Sequence, residues 1–288
     1  MASLREIKTK ITYVKSTQQI TSAMQMVSTV KLAKAQRVSE RFRPYQEKIS
    51  ELLTNFLSSE ETTPSVFEEV REVNRVAIVV FSSNMSLCGS FNANVIKEFT
   101  KLTLELSHLP KENIDVYSIG KQITHAVKKL GFTPQFESND LANSPNYEDT
   151  AKIADELMEQ FRTKKIDQVI VIYHHFRSKG SQILTRNTLL PLSLDKLKEE
   201  KDNAYIDYIV EPNKETILAQ LIPQVIKLTL YAALLQSHTS EHAARSIAMQ
   251  GATDNADDLL EELSLVYNKS RQQSITNELL DIIGATFK

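Results

Sequence analysis

Residues 21–36 read TSAMQMVSTVKLAKAQ, a stretch with no proline, no glycine and no acidic residue. The composition is that of a helix, yet the side chains are mostly small or flexible. A helix bound for a globular core carries larger apolar groups on one stripe. Outward from this stretch, every seventh position gives Ile7, Val14, Thr21, Ser28, Ala35, Phe42, Ile49 and Phe56. Leu4 and Ile11 stand as companions early in the repeat, and Val38, Tyr45 and Leu52 late in it. Such three-and-four spacing is a coiled-coil seam and predicts one helix over 1–57, with Pro44 expected to kink it. The seam becomes small and polar at Thr21, Ser28 and Ala35. The larger Ile20, Met24 and Val27 fall on a neighbouring stripe.

A second seam runs through the C-terminal part, from Leu218, Leu221, Val225 and Leu228 to Leu260, Leu263 and Tyr267. It thins in the same way between Thr239 and Ala256, through His242, Ser246, Met249 and Thr253. No proline interrupts 224–283, so about sixty residues predict a helix of roughly 90 Å. Matching the two thin sections antiparallel puts residue 24 near 246, Leu4 near 266 and Phe56 near 214. Charge favours that orientation. Residues 1–50 carry ten Lys or Arg against three Glu, and residues 251–288 carry seven acids against three bases. About 20 residues of the C-terminal helix are then expected to project alone, roughly 30 Å.

Between the helices the pattern changes. Segments 75–83, 114–120, 166–178, 181–192 and 205–211 are short and β-branched, and read as strands. Helical segments at 92–107, 121–130 and 147–164 separate the first of them, which predicts an α/β sheet with crossover helices. The later strands are expected to add antiparallel edges. The expected class is therefore α/β with long terminal helices: an antiparallel two-helix coiled coil plus a central, Rossmann-like α/β domain. Its divisions are a coiled-coil helix at 1–57, a linker at 58–74, a foot domain at 75–211 and a second coiled-coil helix at 212–288.

The totals narrow the function classes. With 288 residues, 41% hydrophobic and 24% charged, and a net charge of −2, the molecule is no polycation for nucleic acid or a membrane surface. A single cysteine, Cys88, rules out an internal disulfide and fits a reducing compartment. No run of about 18 apolar residues suggests a spanning helix, and MASLREIKTK lacks the apolar core of a signal peptide. The expected location is cytosolic or matrix-like.

Candidate chemistry is sparse. Cys88 lies in SNMSLCGSFNANVIK, after the first strand and before a helix, where an anion or a thiolate could be stabilised. The loop has one glycine, no Lys-Ser/Thr pair and no GxGxxG, so a structural cysteine is the better reading. His238 and His242, in HTSEH, share a helix face as metal ligands can, but Glu241 is misplaced for a zincin base and no third ligand is evident. His174 and His175 are adjacent on a strand and point to opposite faces. Both pairs read as structural. The bases of the N-terminal helix are not confined to one face, which disfavours a nucleic-acid grip. No catalytic residue, cofactor site or metal site is expected.

Three stretches carry a resemblance: MASLREIKTKI with TQQITSAMQMVSTVKLAKAQ, then LCGSFNANVIK, then SEHAARSIAMQGATDNADDLLEELSLVYNKSRQQSITNELLDII. They resemble the γ subunit of F-type ATP synthase over the whole chain. The resemblance implies an antiparallel coil inside a hexamer of three α and three β subunits. It implies a foot docked on an ε subunit and a membrane c-ring, turned by proton flow, with ATP chemistry confined to β. The chain would be a non-catalytic, peripheral subunit on the cytoplasmic face of the bacterial inner membrane, reaching the membrane only through the complex. By the same resemblance Met24, Arg245 and Gln272 face moving elements of β. Ile275 to Phe287 form the tip held at the top of the hexamer, and Glu211 and Pro212 approach the ring. Three positions depart from the pattern. Gly251 stands where a better helix former is usual, costing about 1 kcal/mol relative to alanine. Ser86 replaces a usual glycine, and Cys88 alone lacks the cysteine pair of the redox-regulated plant type. Two other classes fit the bare pattern: a static coiled-coil scaffold with an α/β docking domain, and an α/β enzyme with helical arms.

Overall fold

Two long helices carry the ends of the chain in the computed structural model, which describes residues 4–57, 65–192 and 213–286. Helix α1 spans Leu4–Leu57, and the last helix, α6, spans Lys214–Thr286. Both contain a proline, Pro44 and Pro223, and neither ends there. At Pro44 the carbonyl deprived of its N–H partner belongs to exposed Glu40, where water can satisfy it. The chain divides into two compact units, 1–30 with 245–288, and 31–244.

In the first unit α1 and α6 pair antiparallel. The Thr21 and Thr253 hydroxyls meet at 2.8 Å, the Thr29 and Ser246 hydroxyls at 2.9 Å, and Gln18 Nε2 donates to Asp257 Oδ1 at 3.0 Å. These links set the register. Ser246 lies opposite Thr29 rather than Met24, more than a helical turn from the expected alignment. The thin sections locate the pairing only coarsely, because several small residues in a row fit a close-packed seam at more than one offset.

The heptad positions hold in both helices: each expected seam residue, Ile7 to Phe56 and Leu218 to Tyr267, is buried or half-buried. Of the late companions on α1 only Leu52 holds, half-buried. Val38 and Tyr45 are exposed, whereas Leu32 and Leu53 are buried. The companion lies four residues after each seam position throughout, as Ile11 follows Ile7. Polar Gln18, Gln25, Ser39 and Gln46 occupy most of those sites, so hydrophobicity alone selects the wrong phase.

The second unit is built on a five-stranded sheet of order β3-β2-β1-β4-β5. Its strands are β1 (Val76–Phe81), β2 (Ile114–Ile119), β3 (Pro134–Ser138), β4 (Gln168–Ser178) and β5 (Ser181–Leu190). The first four are parallel, and β5 folds back antiparallel on β4 as the expected edge strand. Helices α2 (Phe91–Glu105), α3 (Lys121–Lys129), α4 (Asp140–Asn143) and α5 (Tyr147–Arg162) make the crossovers. One face of the sheet, through Val76, Ile78 and Val80, packs on α2 and α3. The other, through Ala77, Val79 and Phe81, packs on α5, α6 and the end of α1 at Leu53. Strand alternation thus gives β1 two apolar faces, and all six of its residues are buried.

Strand β3 was not expected from TPQFES, which is short, begins at a proline and alternates half-buried with exposed residues; that is the composition of an edge. The expected strand at 205–211 lies outside the described residues, as does the first part of the linker, 58–64; the described remainder, 65–74, holds one short 3-10 turn at Val66–Glu68. Gly120 closes β2 with φ +105°, and a Cβ there would come within 2.3 Å of the Ser82 carbonyl oxygen. Only glycine allows that approach, which places Ser82 Oγ to accept from the Ile123 N–H at 3.0 Å and start α3. Contrary to the expectation from apolar runs, one stretch within Lys214–Ile283 is long and apolar enough to cross a membrane, with a mean hydropathy of 1.5. Half of it is buried inside the protein, as befits a helix that forms one side of the sheet's core.

Candidate functional site

Two places in the fold could carry function: the switch point of the sheet and the helical pair of the first unit. In open α/β sheets ligands bind beyond the carboxyl ends of the strands where strand order reverses, here between β1 and β4. Side chains fill that crevice. Phe91, the first residue of α2, stacks on His174 of β4 with ring centroids 4.3 Å apart. Burial presses the His174 pKa down to about 4, so the ring is neutral near pH 7. Beside it Asn92 Nδ2 donates to Ser83 Oγ at 2.8 Å and to the buried Cys88 sulfur at 3.1 Å. Asn92 Oδ1 accepts from the Ser83 N–H at 3.1 Å. The loop therefore ties itself to α2 through the very groups a phosphate would need, and Cys88 takes the structural place expected of it. His174 and His175 point to opposite faces as expected: His174 meets Phe91, and His175 Nδ1 meets Gln236 Oε1 on α6. A cleft of about 220 Å³ at the end of β3 lies between Phe136, Ser138, Asp140, Lys152 and Glu156, smaller than typical ligand pockets.

The helical pair offers a different kind of site. Its seam is held by hydroxyls. Thr29 donates back to the Gln25 carbonyl and accepts from Ser246. Of Thr21 and Thr253 one donates to the other, and the second donates back to its own helix, at the Met249 or the Gln18 carbonyl. Each hydroxyl can donate once and still accept, so these pairs satisfy themselves inside the coil and leave little polar demand on its outside. Outside, α1 presents Tyr13, Ile20, Met26, Val27 and Val30, all exposed, with Val30 at 71%. The residues assigned by resemblance are strung along this pair. Met24 is half-buried on α1, and Arg245 is buried on α6 at 6% exposure. Gln272 and Ile275 are exposed on the last turns of α6. Arg245 is level with Thr29, about 8 Å along the axis from Met24, and Gln272 lies on the other side of Met24, about 40 Å from Arg245. They do not converge. Glu211, Pro212 and Phe287 lie outside the described residues. The hydroxyl pairs themselves escaped the sequence, although Thr and Ser at matching seam positions were their signal.

A family profile described as ATP synthase matches residues 3–286. The ATP synthase gamma chain of Bacteroides fragilis is 52% identical over 288 residues, covering 99% of each chain. This chain belongs to the ATP synthase gamma chain family. The gamma chain of Phocaeicola vulgatus is 49% identical over 287 residues, again covering 99% of both. Among solved structures, a chain of the Euglena gracilis mitochondrial ATP synthase, from an assembly of OSCP, F1 and c-ring, superimposes with a TM-score of 0.69. At 22% identity, covering 99% of this chain and 93% of that one, the likeness is one of fold. The gamma-chain fold here thus consists of the terminal helix pair and the mixed sheet, as the sequence pattern implied.

Proposed function

We propose that this chain is the central-stalk rotor of an F-type ATP synthase, coupling ion flow through a membrane ring to the conformational cycle of catalytic β subunits. One observation carries the reading beyond family membership. The helix pair satisfies its own polar seam and turns a continuous set of uncharged side chains outward on α1. A shaft that turns in a housing needs contacts whose energy varies little with angle. An ion pair formed at one angle and buried there would act as a brake, since breaking one by removal of its partner costs about 3–5 kcal/mol. Valine, isoleucine and methionine give many weak contacts instead, and methionine repacks readily against changing partners.

In this reading three α and three β subunits surround the pair, and ATP chemistry stays in β. The segments 1–57 and 212–288 form the shaft, 58–74 leads into the foot, and 75–211 docks on ε and the c-ring. Met24, Arg245 and Gln272 supply faces that differ around the axis, because β states can be told apart only by unequal contacts. Ile275 to Phe287 seat the tip, and Glu211 approaches the ring. The complex sits on the cytoplasmic face of the inner membrane. Co-expression with the α and β subunits of the same organism tests this. The expected result is a stable complex with ATPase activity and with cysteine crosslinks to β that change with nucleotide. A chain that stays monomeric beside those partners sinks the reading, and crosslinks indifferent to nucleotide favour a static scaffold.

A further inference from the structure

The sheet ends at β3, and a groove between that edge and α5 opens at both ends of the strand. The Phe136 and Ser138 carbonyls turn inward to β2, accepting from Ser118 Oγ at 3.4 Å and from the Gly120 N–H at 2.9 Å. Alternation therefore turns the N–H and C=O of Glu137 outward, where another chain can pair with them. Gln135 is the extra residue of a bulge opposite Val116 and Tyr117, and the regular edge stops there. At the Ser138 end lies the cleft of about 220 Å³, floored by Phe136, Leu141 and Ile153. Of the charged groups on its rim, Lys152 is held by Asp149 at 2.8 Å. Glu156 accepts from two uncharged groups, the Tyr117 hydroxyl at 2.9 Å and Gln160 Nε2 at 3.1 Å. Among the described residues neither Glu156 nor Asp140 has a cationic partner, so this end is acidic, beside a half-buried aromatic ring. At the other end a cleft of about 140 Å³ lies between Arg75, Asp115, Gln135, Gln160 and Lys165. Arg75 holds both oxygens of Asp115, at 3.1 and 3.2 Å, so exposed Lys165 makes this end basic. Glu156 and Gln160 stand on successive turns of α5, which makes the two clefts the ends of one groove.

We propose that the groove between β3 and α5 docks an extended segment of another polypeptide, one carrying Arg or Lys four residues from Asp or Glu. The cation enters the acidic cleft, between the Asp140 and Glu156 carboxylates and the Phe136 ring. The partner's carboxylate lies against Lys165. Four extended residues cover about 13 Å, the reach of the five-residue β3, and residues four apart fall on one side of an extended chain. The outward peptide group of Glu137 adds backbone hydrogen bonds and fixes the register. Opposite charge at the two ends rejects a segment that sets like charges together. The acidic cleft, small for a free ligand, suits one long side chain.

The test uses the full chain, labelled for amide NMR, and three end-blocked heptapeptides, TRVTVET, TEVTVRT and the uncharged TQVTVQT. The two charged orders separate a segment antiparallel to β3 from a parallel one. The better of them is expected to bind about tenfold more tightly than TQVTVQT, with saturable shifts confined to amides 135–141, 149–160 and 165. Asp140→Lys and Lys165→Glu alter exposed side chains, and each weakens that peptide about tenfold; the amide spectrum itself shows that the variants are folded. The chain with both changes reverses the preference between the two charged orders. No saturable binding, equal affinity for the uncharged peptide, shifts away from the groove, or an unchanged preference in the double variant overturns the proposal. So does dimerisation of the chain that Asp140→Lys abolishes, since a second copy then holds the groove.

Discussion

His174 shows how a single side chain can be legible in kind and illegible in consequence. Alternation on a strand places it opposite His175, but only the fold reveals that its ring is packed on Phe91 and cut off from water. Burial disfavours the imidazolium, so the pKa falls from 6.5 to about 4 in the folded chain. Between those values the unfolded chain holds more protons, and stability therefore falls as the pH drops from 6.5 toward 4. The loss amounts to about 3 kcal/mol at the bottom of that window. His174→Phe keeps an aromatic ring against Phe91 and removes the proton-binding group. Urea unfolding at pH 7, 5.5 and 4 is expected to show a shallower acid loss in the variant by about that amount. Equal slopes in the two chains would place the acid sensitivity elsewhere. The hydroxyl pairs illustrate the opposite limit. Thr21 and Thr253 were visible as weak seam positions, but a pattern of sizes cannot say that two such residues bond each other.

Helix existence and length are legible because periodicity accumulates over many turns: the repeat predicts one long helix over 1–57, and the helix spans Leu4–Leu57. Phase is less so. Four seam companions on α1 are Gln or Ser, so a reading by hydrophobicity slid to Val38 and Tyr45 on the neighbouring stripe. The strands followed the same rule. Buried β1 and β2 announce themselves by β-branched runs, whereas β3, an edge with a proline, carries no such signal. The corrected phase has a direct consequence. Leu53, which the sequence pattern passes over in favour of Leu52, is fully buried against the sheet's core, whereas the expected companion Val38 is 41% exposed. Leu53→Ala is expected to cost about 3 kcal/mol in chemical unfolding, through lost transfer energy and a residual cavity. Val38→Ala should change stability by less than about 0.5 kcal/mol, helped by alanine's better helix propensity. Similar costs at the two sites would restore the earlier phase.

For the molecule as a whole, the decisive property is where large apolar side chains remain in water. In the first unit they recur along α1 from Tyr13 to Val30, and again on α6 at Ile275, Leu279, Leu280, Ile282 and Ile283. Exposed apolar surface on that scale marks a surface that another molecule covers. It also separates stability from function, because residues that pack on nothing within the chain can be changed without disturbing its fold. Val30 is the sharpest case, at 71% exposure on a helix whose seam runs elsewhere. Val30→Glu is expected to leave the unfolding free energy of the isolated chain within about 0.5 kcal/mol. If the proposed α and β housing encloses this face, the same change in a reconstituted α, β and gamma complex places a charge against apolar contacts. Burying a carboxylate without a partner costs several kcal/mol. ATP hydrolysis by the complex should therefore fall severalfold, or the complex should assemble less tightly, while Val30→Ala behaves nearly as the native chain. Native activity and assembly in the glutamate variant would mean that this face of α1 is not the one enclosed, and the bearing would have to be sought on the α6 side of the pair.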